Sequence, residues 1–194
     1  MSEVDSAPRP SARERLLAAA NRLFYEEGIQ TVGIERVIEQ AGVAKASLYK
    51  TFGSKDELIR AYLDLQHTST VERIMGGMDA QASARDRILS VFTTLETVFS
   101  APGFHGCAFI KATAEALPGS AAEQANATYR AWVRGLFTDL ARDAGVANPV
   151  SLARQLHMLF DGSGLGADVE HDPSLADEAR AAAEVLLDAA LARS

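Results

Sequence analysis

Apolar residues along this chain recur at three- and four-residue steps, the spacing that gathers them on one face of a helix. Leu16, Ala20, Leu23 and Phe24 form the first such stripe. Ser11 and Glu14 open it in the S-x-x-E arrangement of a capping box, and Gly28 closes it. Ile34, Val37, Ile38 and Ala41 form the second, stopped by Gly42, which is free to take positive φ. Leu48 and Phe52, one turn apart, predict a short third helix over residues 44–52. Ser54 and Glu57 repeat the capping-box spacing ahead of Leu58, Ile59, Tyr62 and Leu65. That fourth pattern loosens after Thr68 and breaks near Gly76-Gly77.

The later stripes follow the same rule. Ile88, Val91, Phe92, Leu95, Val98 and Phe99 run to Pro102-Gly103, and a shorter segment spans about residues 107–116. Tyr129, Trp132, Val133, Leu136, Phe137 and Leu140 define a long helix stopped near Gly145 and Asn148-Pro149. Two more helices are predicted over residues 151–166 and 174–192. No stretch alternates apolar and polar residues as a half-buried strand would. The fold expected is all-α, with about nine helices. Residues 1–10, with two prolines and no periodicity, read as a disordered tail.

Composition adds little until charge is divided along the chain. The 194 residues are 47% hydrophobic and 23% charged, a globular balance. No apolar run has the length of a membrane span, and no signal-like segment opens the chain. A lone cysteine, Cys107, cannot form an internal disulfide and suits a reducing compartment, so a cytoplasmic location is expected. The net charge of -7 argues against nucleic-acid binding only if it is spread evenly. Residues 1–60 hold nine of the 19 Lys+Arg and nine of the 26 Asp+Glu, so the acidic excess lies wholly beyond them. Between Gln40 and Lys55 there is no acidic residue, while Lys45, Lys50 and Lys55 recur every five positions. Affinity for a duplex depends on local potential, and a neutral head with a basic tip meets that requirement.

The second and third helices, joined by a tight glycine turn, have the build of a helix-turn-helix. The stretch AGVAKASLYKTFGSKDEL resembles the N-terminal domain of TetR-family transcriptional regulators. The matching positions are Ala41, Gly42, Val43, Leu48, Tyr49, Phe52, Ser54, Lys55, Glu57 and Leu58, and the resemblance covers about residues 11–65. Gly33 and Ala44 depart from it, standing where the family carries hydroxyl-bearing caps. The resemblance implies a head of residues 11–53 and a ligand-binding, dimerising body of residues 54–194, joined by a continuous helical rod.

It also implies roles. Lys45 and Ala46 occupy the positions nearest base edges, suited to guanine O6/N7 and a thymine methyl, and Tyr49 touches a base or the backbone. Ser47, Lys50 and Thr51 match phosphate-contacting positions, with Arg36, Lys55 and the backbone amide end at Gly33 adding to that set. Packing of Tyr49 into the head is the competing reading. One head reads few base pairs, so a homodimer on a palindromic operator is expected, with half-sites about 34–36 Å apart or a multiple of that. The implied dimer surface lies on the last two helices, along Leu152, Leu156 and Leu159 and along Leu175, Ala179, Leu186 and Ala190; an intramolecular core explains the same stripes equally well.

The middle helices carry candidates for a pocket that suits a small, mostly apolar or aromatic effector: Phe92, Phe99, Phe104, Phe109, Trp132 and Phe160, with His105, Cys107, His157 and Asp161 as polar members. His157 and Asp161 are one turn apart, yet no Cys/His cluster supports a metal, and no phosphate loop supports a nucleotide cofactor. A rival class rests on Cys107 beside His105: a cysteine-dependent enzyme, or a redox sensor. No neighbouring Asn or Asp orients that histidine. The expectation is therefore a ligand-responsive DNA-binding regulator, most readily a repressor, without catalytic residues.

Overall fold

A computed structural model of the chain describes residues 10–193, so the expected tail lies, Pro10 apart, outside the described residues. Among them the chain forms nine helices and no strand: α1 Ala12–Glu27, α2 Ile34–Ala41, α3 Lys45–Phe52, α4 Lys55–Gly76, α5 Ala84–Phe99, α6 Ala108–Glu115, α7 Ala121–Asp143, α8 Pro149–Glu170 and α9 Leu175–Leu191. None is long and apolar enough to cross a membrane.

Local chemistry sets most boundaries. At α1 both halves of the capping box are made: Glu14 N–H donates to Ser11 Oγ at 3.2 Å and Ser11 N–H to Glu14 Oε2 at 2.7 Å. At α4 only one half forms. Glu57 N–H donates to Ser54 Oγ, while the Glu57 carboxylate turns to Arg60 at 3.3 Å. Asn148-Pro149 does more than stop α7; it opens α8, with Asn148 capping Ser151 N–H and Pro149 in the first turn where its missing N–H costs nothing. α8 then runs past Gly162, Gly164 and Gly166 to Glu170, beyond the end expected at residue 166. Glycines weaken a helix by about 1 kcal/mol each, but Ser163, Gly164 and Ala167 are buried there, and packing outweighs propensity.

α1, α2 and α3 form a compact head around Leu16, Ala20, Leu23, Val37 and Leu48. α4 leaves the head and passes between α1 and α7, so its buried face is wider than a single stripe. Leu63 is fully buried, whereas Leu65, expected inside, is exposed. Phe24 of α1 meets Tyr62 of α4 edge-on at 5.6 Å, and the apolar interior continues from head to body without a gap. In the body α8 and α9 pack as a hairpin against α5 and α7. Arg85 of α5 clips α9 through Glu184 at 2.7 Å and Asp188 at 2.8 Å.

Candidate functional site

The α2–α3 turn is made by Gly42, whose φ of 60° lets its N–H close on the carbonyls of Ile38 and Glu39. Arg15 of α1 reaches over and donates to Gly42 O at 3.1 Å and Ala41 O at 3.4 Å, answering carbonyls that α2 leaves unpaired. Arg13 lies over the Phe52 ring at 5.6 Å. Two arginines of α1 thus fix the turn of the short helix pair and the far end of α3.

α3 turns one residue inward. Leu48 is 0% exposed and Phe52 half-buried, while Lys45, Ala46, Tyr49, Lys50 and Thr51 are exposed. At 3.6 residues per turn, Lys45, Ala46, Tyr49 and Lys50 fall within an arc of roughly 140°. Lysines five apart thereby bound one outward face instead of scattering. Tyr49, at 46% exposure, lies on that face and is not part of the head's interior. Gly33 and Ala44 are the caps of α2 and α3, and neither helix has a side-chain cap there.

The other candidates of the DNA set divide. Thr51 donates its hydroxyl to Ser47 O at 2.7 Å, inside its own helix, and Ser47 is half-buried. Lys45 pairs with Glu35 at 2.5 Å and Arg36 pairs with Glu27. The Glu35 hydrogen bond, then its charge, raises the Lys45 ammonium above its usual range. Lys55 is drawn toward the head–body junction: burial lowers its ammonium below the usual range, with Glu115 acting against that. The free face of α3 is therefore Ala46, Tyr49 and Lys50, with Lys45 engaged by a surface carboxylate that a polyanion would have to displace.

Head and body are fastened by polar contacts between α1 and the segment leading into α6. Tyr25 donates its hydroxyl to Gly106 O at 3.0 Å and accepts from His105 N–H at 3.0 Å. Lys111 Nζ donates to Tyr25 O at 2.9 Å and sits 5.6 Å from its ring centre. Past α1, Gln30 N–H donates to Glu115 Oε2 at 2.7 Å. Gly28 closes α1 at φ 93°, a conformation that favours glycine, and a Cβ there would sit 2.5 Å from Glu115 Oε1 and displace that carboxylate from Gln30. Within the body, Asp56 in the first turn of α4 accepts Ala121 N–H at the start of α7 at 3.1 Å.

Behind this junction lies a partly open cavity of about 360 Å³ lined by α1, α4, α5, α6, α7, α8 and residues 101–107. Of the ten expected pocket residues, Phe99, Phe104, Cys107, Phe109, Phe160 and Asp161 line it. Four do not. Phe92 is fully buried and stacks on Phe137 at 5.8 Å. Trp132 packs against His67 at 5.5 Å. His105 is exposed, with its ring 5.9 Å from that of Tyr25. His157 lies buried behind the wall, its Nε2 3.4 Å from Asp161 Oδ2, within ion-pair reach but without hydrogen-bond geometry.

Sequence reasoning missed the polar wall. Asn21 and Tyr25 of α1 and Gln66, Ser69, Thr70 and Arg73 of α4 face the cavity, with Gln66 Nε2 donating to Asn21 Oδ1 at 2.7 Å. The signal was present: residues 66, 69, 70 and 73 keep helical spacing just where the apolar stripe of α4 loosens. The opposite wall is aromatic, with Phe109 stacked on Tyr129 at 3.8 Å and Phe99 against Phe104 at 5.0 Å. Asp161 is held by Arg130 at 2.6 Å; burial would raise its carboxyl, but His157 and Arg130 together keep it below the usual range. Burial pushes the Cys107 thiol up, away from the thiolate a nucleophile needs, with the amides of Ile110 and Phe109 offsetting only part of it. Among the described residues no group of His, Cys, Asp or Glu is arranged to hold a metal ion.

The residues expected at a dimer surface divide. Leu152, Leu156, Ala179 and Ala190 are buried within the chain itself, and Leu159, Leu175 and Leu186 are half-buried. The intramolecular core accounts for these stripes because α8 and α9 pack first on each other and on α5 and α7. The outward face of the hairpin instead carries Met158, Leu165 and Val169 of α8 and Val185 of α9, all at least half exposed.

A short helix pair with a lysine-bearing outward face, braced by α1 and carried on a helical body with an internal cavity, defines the build of a helix-turn-helix regulator. The model of the bacterial regulatory proteins of the tetR family matches residues 16–62. A TetR-family transcriptional regulator of Streptomyces coelicolor superposes with a TM-score of 0.85 and 33% identity, over 93% of this chain and 96% of that one. The reduced form of NemR from Escherichia coli superposes with a TM-score of 0.77 and 25% identity, over 89% of this chain and 94% of that one. The HTH-type transcriptional repressor KstR2 of Rhodococcus jostii is 28% identical over 101 residues, half of this chain and half of that repressor. The chain belongs to the TetR family of transcriptional regulators.

Proposed function

We propose that this chain is a one-component repressor that grips a palindromic operator as a homodimer and lets go when a small, largely apolar molecule enters the cavity. The observation that supports it best is the outward face of α3, where Lys45, Ala46, Tyr49 and Lys50 stand clear of a buried Leu48. In this reading residues 11–53 contact DNA and residues 54–194 dimerise and sense, in the cytoplasm. Lys45 leaves Glu35 to reach guanine, Ala46 and Tyr49 meet base or sugar edges, and Lys50, Arg36 and the amide end at Gly33 hold phosphates. Ser47, Thr51 and Lys55 support that set from its edges. The partner copy seats on Met158, Leu165, Val169 and Val185.

Release follows from the junction. A molecule in the cavity presses on α4 and on residues 101–107, and both touch the head, α4 where Tyr62 packs on Phe24 and residues 101–107 through the Tyr25 hydroxyl. DNA is lost only if that molecule binds the spread arrangement of the heads more tightly than the DNA-bound one. Gel shifts with fragments of the chain's own upstream region in low salt test the reading. Retardation of a dimer is expected; a monomer, or indifference to every fragment, refutes it.

A second reading is favoured by Cys107, which lines the cavity wall, and by similarity to NemR, whose structure is described as a reduced form. There the cysteine itself would sense oxidant. Cys107→Ala separates the two: ligand sensing predicts unchanged operator release by a small molecule, redox sensing predicts that oxidant no longer releases DNA.

A further inference from the structure

We propose that the cavity takes a small amphipathic anion, an aryl or short-chain carboxylate whose apolar part lies on the aromatic wall and whose acid group meets Arg73. The proposal rests on the ligand-sensing reading above and names the chemistry of that site. Arg73 and Asp161 are the two charged side chains lining the cavity, and they are not equivalent. Asp161 is already answered by Arg130 at 2.6 Å, with His157 at 3.4 Å. Arg73 lines the cavity from a solvent-exposed position, makes a long contact with Thr70 Oγ1 at 3.5 Å, and forms no ion pair among the described residues. A further carboxylate, Asp168, stands behind Gly106 near Tyr25, outside the lining.

Gln66 is bonded to Asn21 and the Thr70 hydroxyl to Gln66 O, so an uncharged apolar ligand would leave Arg73 without a counter-charge, and a cation would meet an aspartate already paired with Arg130. A carboxylate answers the guanidinium with two parallel hydrogen bonds, the geometry for which arginine is suited. The volume, at a water's ~30 Å³ each, has room for about a dozen heavy atoms, which fits one ring with a short acid arm. Phe99, Phe109 and Tyr129 supply the surface on which such a ring packs.

The test is isothermal titration of the full chain with benzoate, phenylacetate and cinnamate, each beside its neutral primary amide, repeated on Arg73→Gln and Arg73→Lys. Wild type is expected to favour acid over amide by roughly tenfold, the size of one charge-assisted contact. Arg73→Gln should erase that preference and Arg73→Lys keep most of it, with both variants melting like wild type. Equal binding of acids and amides overturns the anion assignment while leaving a ligand-sensing cavity in place. Binding of none of the six compounds also overturns it. Acids that bind through Arg73 yet fail to free operator DNA would instead sink the sensing reading and leave the anion site standing.

Discussion

Removing one oxygen from Tyr25 is the sharpest test of how head and body communicate. The Tyr25 hydroxyl donates to Gly106 O and accepts from His105 N–H, both at 3.0 Å. Burial raises its phenol above the ordinary range, ahead of a smaller opposing effect from the His105 amide, so the proton stays in place throughout the neutral range. Tyr25→Phe keeps the ring against Lys111 and His105 and deletes both hydrogen bonds. Each is worth about 0.5–1.5 kcal/mol net, so the variant should unfold with a loss of about 1–3 kcal/mol. Chemical denaturation measures this directly, with an unchanged m-value showing that the rest of the fold is intact. Freed of this tie, the heads sample more separations. Operator affinity should therefore fall by up to the same free energy, about tenfold for each 1.4 kcal/mol. A stability loss below about 0.5 kcal/mol, together with unaltered operator affinity, would refute the claim that this hydroxyl couples the two parts.

Other outcomes follow from the same geometry. Lys50→Ala should weaken binding to all fragments alike and lower the slope of log affinity against log salt by about one contact; an unchanged slope removes Lys50 from the phosphate set. Lys45→Ala should relax sequence preference in competition gel shifts, and a variant as selective as wild type would show that Lys45 stays with Glu35. Leu165→Glu, on an exposed position of α8, should give a folded monomer by sedimentation and abolish operator binding; a persistent dimer would place the partner elsewhere. Leu48→Ala should cost the head about 2–5 kcal/mol and abolish binding, because an eight-residue helix cannot hold itself together without tertiary packing.

Much of this molecule was legible from spacing. The caps at Ser11 and Ser54, the stop at Gly42, and the stripes of α1, α5 and α7 are local events. Each depends on residues within one or two turns, so a linear reading finds them. The outward face of α3 was readable in part, because Leu48 and Phe52, one turn apart, mark the side it buries. What chain order could not supply was which of two faces each amphipathic helix gives to which neighbour. Leu152, Leu156, Ala179 and Ala190 look the same whether they meet their own chain or a second copy, and only the packing of α8 and α9 on α5 and α7 assigned them to the interior. Phe92 went to the core and Trp132 to its half-buried edge for the same reason. The polar wall of the cavity came from α1 and α4, helices that apolar counting had assigned to the head and the rod. Residues such as Asn21, Tyr25 and Arg73 acquire a common role only when helices distant in sequence close around one space. Periodicity is a property of a single helix and survives without a partner; a cavity, a junction and an interface are properties of several, and come into being only when those helices pack.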